Sequence, residues 1–508
     1  MIDLPDFSPL RITQSAERAG RKQLDSLDHL VVVLPNEPGA SAFKGLPRAA
    51  HLERLLGRSS KAGNGLVTTH LDNRRGTAIT LAPIEAKNWF SALSWARKVI
   101  AESARLKSGK LGVLCPGLDT GERDRALTAL IRAAEAAAFP LPSYKGKRTR
   151  SRNSLRSLKL IAVEPKLALK RARRGTLGNN IARWLTAMPP NKLTVASYRA
   201  IAQALAAEHS MKCEFFDTTK LERLGAGAFL AVAQGNANPD AGIIHLSYRP
   251  TRMDKPALAL VGKGILFDTG GTNLKPFKGM LEMHTDMQGS AVALGTAVEL
   301  ALHRAPFAFD VWLAVTENRI SATAYKSQDV VVAANGTSIQ VIHTDAEGRM
   351  VLADTLALAA DRKPKLIIDY ATLTGACVGA LTTRYSGVFS NRAGAVRDLL
   401  GAGMTSGERV WPFPLDDDFD DSLRSDVADV KQCAVEGAGD HIFATRFLKR
   451  FVPDDIAWVH VDLSAGQHKG GLGAIPTDIT GFGVAFTLEL LTGNDPAALA
   501  AGWAKEPT

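Results

Sequence analysis

The sequence predicts an α/β protein of two domains: a smaller N-terminal α/β domain, and a larger α/β domain with a central mixed sheet flanked by helices. Three observations predict it. At 508 residues the chain is longer than one ordinary core spans. Short apolar runs of strand length alternate with stretches of helical spacing along most of it. Charge gathers in two knots bordering such runs, and ligand sites in α/β sheets collect at strand ends.

The expected division is 1–165 for the N-terminal domain, 166–188 for a connecting helix and 189–508 for the larger domain. In the first part, His29 to Leu34, Thr77 to Ala82, Leu111 to Cys115 and Leu158 to Val163 read as strands. Trp89 to Leu106 and the alanine-rich Arg123 to Ala138 read as helices. Leu167 to Met188 reads as one long helix that Pro189-Pro190 stops. Thr194 to His209 and Lys220 to Ala233 are helical, with a short strand ending at Phe215-Phe216 between them. Ile243 to Tyr248 and Ala257 to Val261 are strands, the second breaking into glycines. Further helices fall near Ser290 to His303, Arg349 to Ala360, His441 to Phe451 and Gly481 to Leu491. Strands fall near Phe309 to Val315, Leu366 to Ala371 and Trp458 to Leu463.

Composition narrows the class. With 45% hydrophobic and 22% charged residues the chain is globular rather than disordered. A net charge of +11 leaves two readings, attraction to polyanions or a merely basic surface. The same two readings apply to the basic run Lys145, Lys147, Arg148, Arg150, Arg152 and Arg156: a phosphate-contacting arm, or a solvated loop. The arm would make the chain a nucleic-acid-binding protein, the alternative to the reading below. Cys115, Cys213, Cys377 and Cys433 form no CxxC pair, which argues against a disulfide framework and a cysteine-built zinc site and fits a reducing compartment. The N-terminus has no secretory pattern and no run approaches the ~18 apolar residues of a membrane span. The expectation is a cytoplasmic enzyme with no membrane partner.

The chemistry sits in the knots. Asp268, Asp286, Asp345 and Glu347 lie at or just after the ends of apolar runs. Four carboxylates brought together repel one another and resist ionisation unless cations sit among them. Two divalent metals supply that charge and suit hydrolysis. Asp345 and Glu347, two apart, share one side of an extended segment, Gly348 frees the backbone to turn, and Arg349 begins a helix. Gly262, Gly264, Gly270 and Gly271 let backbone pass close to a crowded site. Lys263 has two readings, a neutral amine on metal or a salt bridge to Asp268. A charged Lys275 aimed at the pocket can stabilise an oxyanion. His284 and His343 each stand two before an acid, as ligands or as hydrogen-bonded neighbours. No P-loop, HExxH or GxSxG motif occurs. Oxygen donors with one amine suit Mn²⁺, Mg²⁺ or Zn²⁺.

The strings that carry these residues resemble a known family. VGKGILFDTGG from Val261, Lys275-Pro276, Met283-x-x-Asp-Met287, Thr316-Glu-Asn318, TDAEGR from Thr344, Val351-Leu-Ala-Asp354 and Ala371-Thr-Leu-Thr-Gly-Ala376 are similar to leucyl aminopeptidases of the cytosolic M17 family. The resemblance covers roughly residues 180–490. It implies a metalloaminopeptidase that removes N-terminal residues, with Leu-like preference, from peptides by a two-metal-activated water. It implies that Lys263, Asp268, Asp286, Asp345 and Glu347 hold two metals, Asp268 and Glu347 bridging. It gives Lys275 the developing oxyanion, Arg349 a bicarbonate acting as general base, and Met283, Thr372 and Gly375 the lining of the first side-chain pocket. It further implies a homohexamer. This chain departs from the family at His343 (usually Asn), Met350 (usually Leu), His284 (often Lys), Lys326-Ser-Gln-Asp329 (usually Arg-Pro-Gly-Asp) and Asp462-Leu-Ser464-Ala465 (usually Asp-Ile-Ala-Gly). Ser464 would border the pocket and so bears on side-chain preference.

Overall fold

Apolar runs that alternate with helices become the strands of two separate sheets in the computed structural model, which describes residues 4–17, 20–44, 46–61, 65–84, 87–146, 155–236, 240–250 and 253–504. The chain divides into two compact units. One comprises Asp6–Thr176 and Lys469–Asp478; the other comprises Met1–Pro5, Leu177–His468 and Ile479–Thr508.

The unit that holds most of the N-terminal third has six strands: β1 (Arg11–Ser15), β2 (His29–Leu34), β3 (Val67–His70), β4 (Ala78–Pro83), β5 (Lys110–Leu114) and β6 (Ser157–Ile161). They lie in the order β1-β6-β5-β2-β4-β3, all parallel but for the β3–β4 pair. The sequence reading missed β1 and β3, and both are edge strands. An edge strand is only half covered, so its sequence carries no continuous apolar run; RITQS and VTTH are largely polar. The reading also missed the helix Ala49–Lys61. Helices Trp89–Arg105 and Thr120–Ala138 start at capping boxes, Asn88 with Ser91 and Asp119 with Glu122. Much of the basic run, residues 147–154, lies outside the described residues.

The larger unit has strands β7 (Lys212–Asp217), β8 (Gly242–Tyr248), β9 (Leu258–Asp268), β10 (Phe309–Asn318), β11 (Val330–Val332), β12 (Ser338–Gln340), β13 (Leu366–Ala371), β14 (Ser386–Ser390), β15 (Val410–Pro412), β16 (Val430–Lys431) and β17 (Ala457–Asp462). Eight of them form a mixed sheet in the order β15-β14-β17-β13-β9-β10-β8-β7, and β11-β12-β16 form a small second sheet. The central neighbours β17, β13, β9 and β10 are mutually parallel. Their carboxyl ends therefore come out side by side, where Asp462, Thr372, Asp268 and Asn318 stand at or just past the strand ends.

Three local expectations need correction. β9 does not break at Val261; it runs on through Gly262-Lys263-Gly264 to Asp268. Those glycines serve packing. A Cβ at Gly262 would lie 2.5 Å from Ser290 Cα, and one at Gly289 would lie 2.0 Å from the Tyr370 carbonyl oxygen. The buried helix Gln288–Leu302 thus rests directly on the backbone of the central strands. The single helix expected over 166–188 is two, Leu169–Ala172 and Thr176–Thr186, with Gly175 at φ +88° between them. The stretch 220–233 likewise splits into Thr218–Arg223 and Gly227–Ala233, with Gly225 at φ +70°.

Candidate metal centre

A bulge aims Asp268. Between the pairs Thr316–Ile265 and Asn318–Asp268, β9 advances three residues while β10 advances two. The extra residue re-aims the strand end and brings Asp268 opposite Asn318. Asp268 Oδ1 accepts from Asn318 Nδ2 (2.8 Å) and from the Gly270 amide (2.9 Å). Its Oδ2 lies 2.8 Å from Lys275 Nζ, which also contacts Asp345 Oδ1. The chain can turn back to deliver Lys275 because Gly270 and Gly271 take positive φ, +86° and +63°.

The second lysine repeats the pattern. Lys263 Nζ lies 2.8 Å from Asp286 Oδ1 and 3.0 Å from Glu347 Oε1, and donates to the Thr372 carbonyl at 2.9 Å. Thr372 Oγ1 donates to Asp286 Oδ1 at 2.7 Å. The partners of Lys263 are therefore Asp286 and Glu347, not Asp268. The two knots, far apart in sequence, meet in space: Lys263, Asp268, Lys275, Asp286, Asp345 and Glu347 form one connected cluster. Within it Asp268, Asp286 and Glu347 offer oxygens that all lie within 4.8 Å of one another.

Other expectations about these knots are overturned. Asp345 and Glu347 do not lie on extended chain, because Glu347 is itself the first residue of the helix Glu347–Ala360. Gly348 is helical and does not release a turn. It makes room: a Cβ there would lie 2.7 Å from Lys263 Nζ and Cε. His284 sits on a single 3₁₀ turn, Met283–Thr285, rather than on a strand. Neither histidine belongs to the acidic cluster among the described residues. His343 is exposed, and its Nδ1 accepts from the Asp345 amide at 3.3 Å.

The electrostatics fit a cation site. Four carboxylates face two ammonium groups, so full ionisation leaves negative charge in excess. Burial pushes the Asp286 carboxyl up to about 8; Lys263 opposes this, and the charges of Glu347 and Asp268 add to it. Burial together with the Asp268 charge raises Asp345 and Glu347 to about 6. Burial works against the charge on both lysines, but the surrounding carboxylates win and hold both pKa values above the usual lysine range. Asp286 Oδ2 and Glu347 Oε2 are buried with no hydrogen-bond partner. Buried carboxylate oxygens left without donors are where a divalent ion fits.

The resemblance singles out other positions as well. Met283 and Thr372 are half-buried and Gly375 is exposed, with nothing within 4 Å of where its Cβ would be. Ser464 is buried, and its hydroxyl is spent on the Tyr385 carbonyl at 2.7 Å, so it does not face the pocket as a free polar group. Arg349 is 2% exposed. Its Nη2 donates to both oxygens of Asp440, at 2.9 and 2.7 Å, and its Nη1 donates to the Gln432 carbonyl at 3.3 Å. The Asp440 carboxylate thus matches the charge of the guanidinium, while Nε is buried with no hydrogen-bond partner.

Several residues that hold the site were given no role of their own from the sequence. Buried Thr344 donates to the Gly270 carbonyl (2.6 Å) and accepts from the Asn273 amide (2.8 Å), tying one knot to the other. Asn318 Nδ2 bonds both Asp268 and the Thr344 carbonyl. Gln432 accepts from the Ile342 and His343 amides, both at 3.1 Å, and donates to the Ala346 carbonyl at 3.0 Å, fixing the loop that carries Asp345. The signal available for these residues was a polar side chain inside or beside an apolar run.

Buried carboxylates and lysines gathered at the carboxyl ends of the parallel strands of a mixed sheet form a site of the kind a metal-dependent hydrolase uses. Residues 180–488 match the Cytosol aminopeptidase family, catalytic domain. A probable cytosol aminopeptidase of Parasynechococcus marenigrum is 36% identical over 90% of this chain and 95% of its own. Another, from Syntrophotalea carbinolica, is 42% identical over 64% of this chain and 65% of its own. Among solved structures, a mutant tomato leucine aminopeptidase superposes with a TM-score of 0.83 at 28% identity, over 97% of this chain and 98% of that one. The chain belongs to the cytosol aminopeptidase family, and is a metalloaminopeptidase with the mixed α/β fold of that group. No described helix is long and apolar enough to cross a membrane.

Proposed function

We propose that the protein removes N-terminal residues, bulky apolar ones first, from peptides at a centre of two divalent ions held by Lys263, Asp268, Asp286, Asp345 and Glu347. The single observation that carries this reading is the pair of buried carboxylate oxygens without donors, on Asp286 and Glu347, inside a cluster with excess negative charge. Two such ions, Mn²⁺, Zn²⁺ or Mg²⁺, held among these residues with Asp268 and Glu347 shared, would supply a water of lowered pKa and polarisation of the scissile carbonyl. Lys275, only partly buried, turns its ammonium toward the carbonyl oxygen as that oxygen gains charge, so its contribution falls on the transition state. Thr372 holds Asp286 through its hydroxyl and, with Met283 and Gly375, walls the pocket for the first side chain. Thr374 steadies that wall by donating to Asp462 Oδ2 at 2.7 Å. Because Ser464 spends its hydroxyl on backbone, it adds no free polar group to that wall, which supports a Leu-like preference. The assembly in this reading is a homohexamer, to be read by light scattering on the eluted protein.

The test is hydrolysis of a panel of aminoacyl-anilides by metal-stripped protein, with Mn²⁺, Zn²⁺ or Mg²⁺ added back. Leucyl and methionyl substrates should turn over fastest, and only after metal is restored. Equal turnover with and without metal, or a preference for aspartyl or lysyl substrates, would remove the reading.

A further inference from the structure

The Arg349 guanidinium already has an anion. Asp440 is the first residue of the helix Asp440–Lys449, entered through Gly439 at φ +77°. That turn directs its carboxylate at Arg349, and both oxygens accept from Nη2, at 2.9 and 2.7 Å. Of the other two nitrogens, Nη1 donates to the Gln432 carbonyl, and Nε is buried with no hydrogen-bond partner. One positive charge therefore meets one negative charge, and a second anion would meet the Asp440 carboxylate rather than a bare cation. Arg349 is fully buried while the Asp440 side chain remains 28% exposed, so the carboxylate is the open half of the pair. The pair also stands beside the metal cluster. Arg349 is two residues from Glu347 and feels its charge, and His343 lies within electrostatic reach of Lys275, Arg349 and Asp440.

We infer that Asp440 is a built-in carboxylate on Arg349 that fills the anion seat, so that peptide hydrolysis by this enzyme needs no bicarbonate. The inference rests on the peptidase reading above. It assigns Asp440 as a positioning residue that acts through Arg349 and supplies the negative charge the seat requires.

The test uses the full-length, metal-loaded protein in CO₂-free buffer, with and without added bicarbonate, alongside Asp440→Ala and Asp440→Asn. The wild type should be indifferent to bicarbonate. Asp440→Ala should lose on the order of 10²-fold in kcat in CO₂-free buffer, the lower end of what a positioned acid–base group contributes, and regain most of it with bicarbonate. Asp440→Asn keeps the seat filled without the charge, so it should be slow and not rescued. Binding of ¹³C-bicarbonate, followed by NMR line broadening, gives a readout independent of turnover: absent in the wild type, present in Asp440→Ala and lost again in the double variant Asp440→Ala/Arg349→Met. Stimulation of the wild type by bicarbonate, its binding to the wild type, or an Asp440→Ala enzyme indistinguishable from the wild type in both buffers would each overturn the inference. A metal-loaded wild type with no peptidase activity would instead defeat the peptidase reading, and the ¹³C binding pattern would still decide whether the seat is filled.

Discussion

Lys275 and Lys263 have the same number of carboxylate partners and different predicted fates. Lys263 is sealed in, and its ammonium touches Asp286, Glu347 and a carbonyl. Lys275 contacts Asp268 and Asp345 from a half-buried position. Lys275→Ala should therefore leave the fold and metal content intact while lowering kcat by on the order of 10²–10³, the scale of one oxyanion donor. Near-normal turnover at full metal occupancy would take Lys275 out of the mechanism. Gly348→Ala tests the other lysine. In a helix, alanine is favoured over glycine by about 1 kcal/mol, yet here the added methyl lands on Lys263 Nζ. Metal affinity should fall roughly 10- to 100-fold, the range for a disturbed ligand environment, while in the metal-free protein crowding at buried Lys263 offsets the helix gain and the melt does not rise. Titration calorimetry and a melt on the same sample check both halves. These residues were legible in the sequence because charge interrupts apolar runs at Lys263, Asp268 and Asp286. Asp440 was not: an acid beginning a helix reads as a cap, and nothing local marks its partner 91 residues away. Gln432, an isolated polar residue whose work is done on another segment's backbone, leaves no spacing to read.

At the scale of elements, the site depends on how closely the helix Gln288–Leu302 approaches β9 and β13. Asp286 lies just before that helix, and Lys263 and Thr372 lie on or just after those strands, so their separation sets the lysine–carboxylate contacts. Glycines make the approach possible at Gly262 and Gly289. Gly289→Ala would drive a methyl into the Tyr370 carbonyl, which cannot yield without moving β13. The expected cost is about 3 kcal/mol, the upper part of the overpacking range, visible in chemical denaturation as a lower midpoint with unchanged slope. A variant as stable as the parent would mean the helix can lift off the sheet, and the packing argument would be lost. The central strands were readable because strands buried on both faces are near-continuous apolar runs, as in β2 and β13. The end of β9 was not, because Gly-Lys-Gly reads as a strand terminus. A lysine is tolerated inside that strand only because carboxylates from the start of one helix and from beside another surround it, and a single strand's sequence contains neither.

For the molecule as a whole, the cluster couples folding, protons and metal. Its carboxyls titrate high because burial and mutual repulsion favour the protonated form: Asp286 up to about 8, Asp345 and Glu347 to about 6. Each is raised above the value it takes in an unfolded chain. Without metal, the folded protein therefore holds protons that the unfolded chain releases. The stability this contributes is fully present below the ordinary carboxylate pKa, and is lost as pH rises through about 6 and then about 8. A divalent ion needs the same carboxylates ionised, so it competes with those protons and binds more tightly over the same window. Stabilisation by a ligand follows its free concentration over Kd, so the rise in Tm on adding Mn²⁺ should grow between pH 6 and 8. Where one proton is displaced, the affinity should gain about tenfold per pH unit. Scanning metal-stripped protein at matched pH values with and without Mn²⁺ isolates this effect, because groups elsewhere that titrate in the same range cancel in the difference. An increment independent of pH across the window would mean that the ion does not displace protons from Asp286, Asp345 and Glu347, and that it is seated elsewhere.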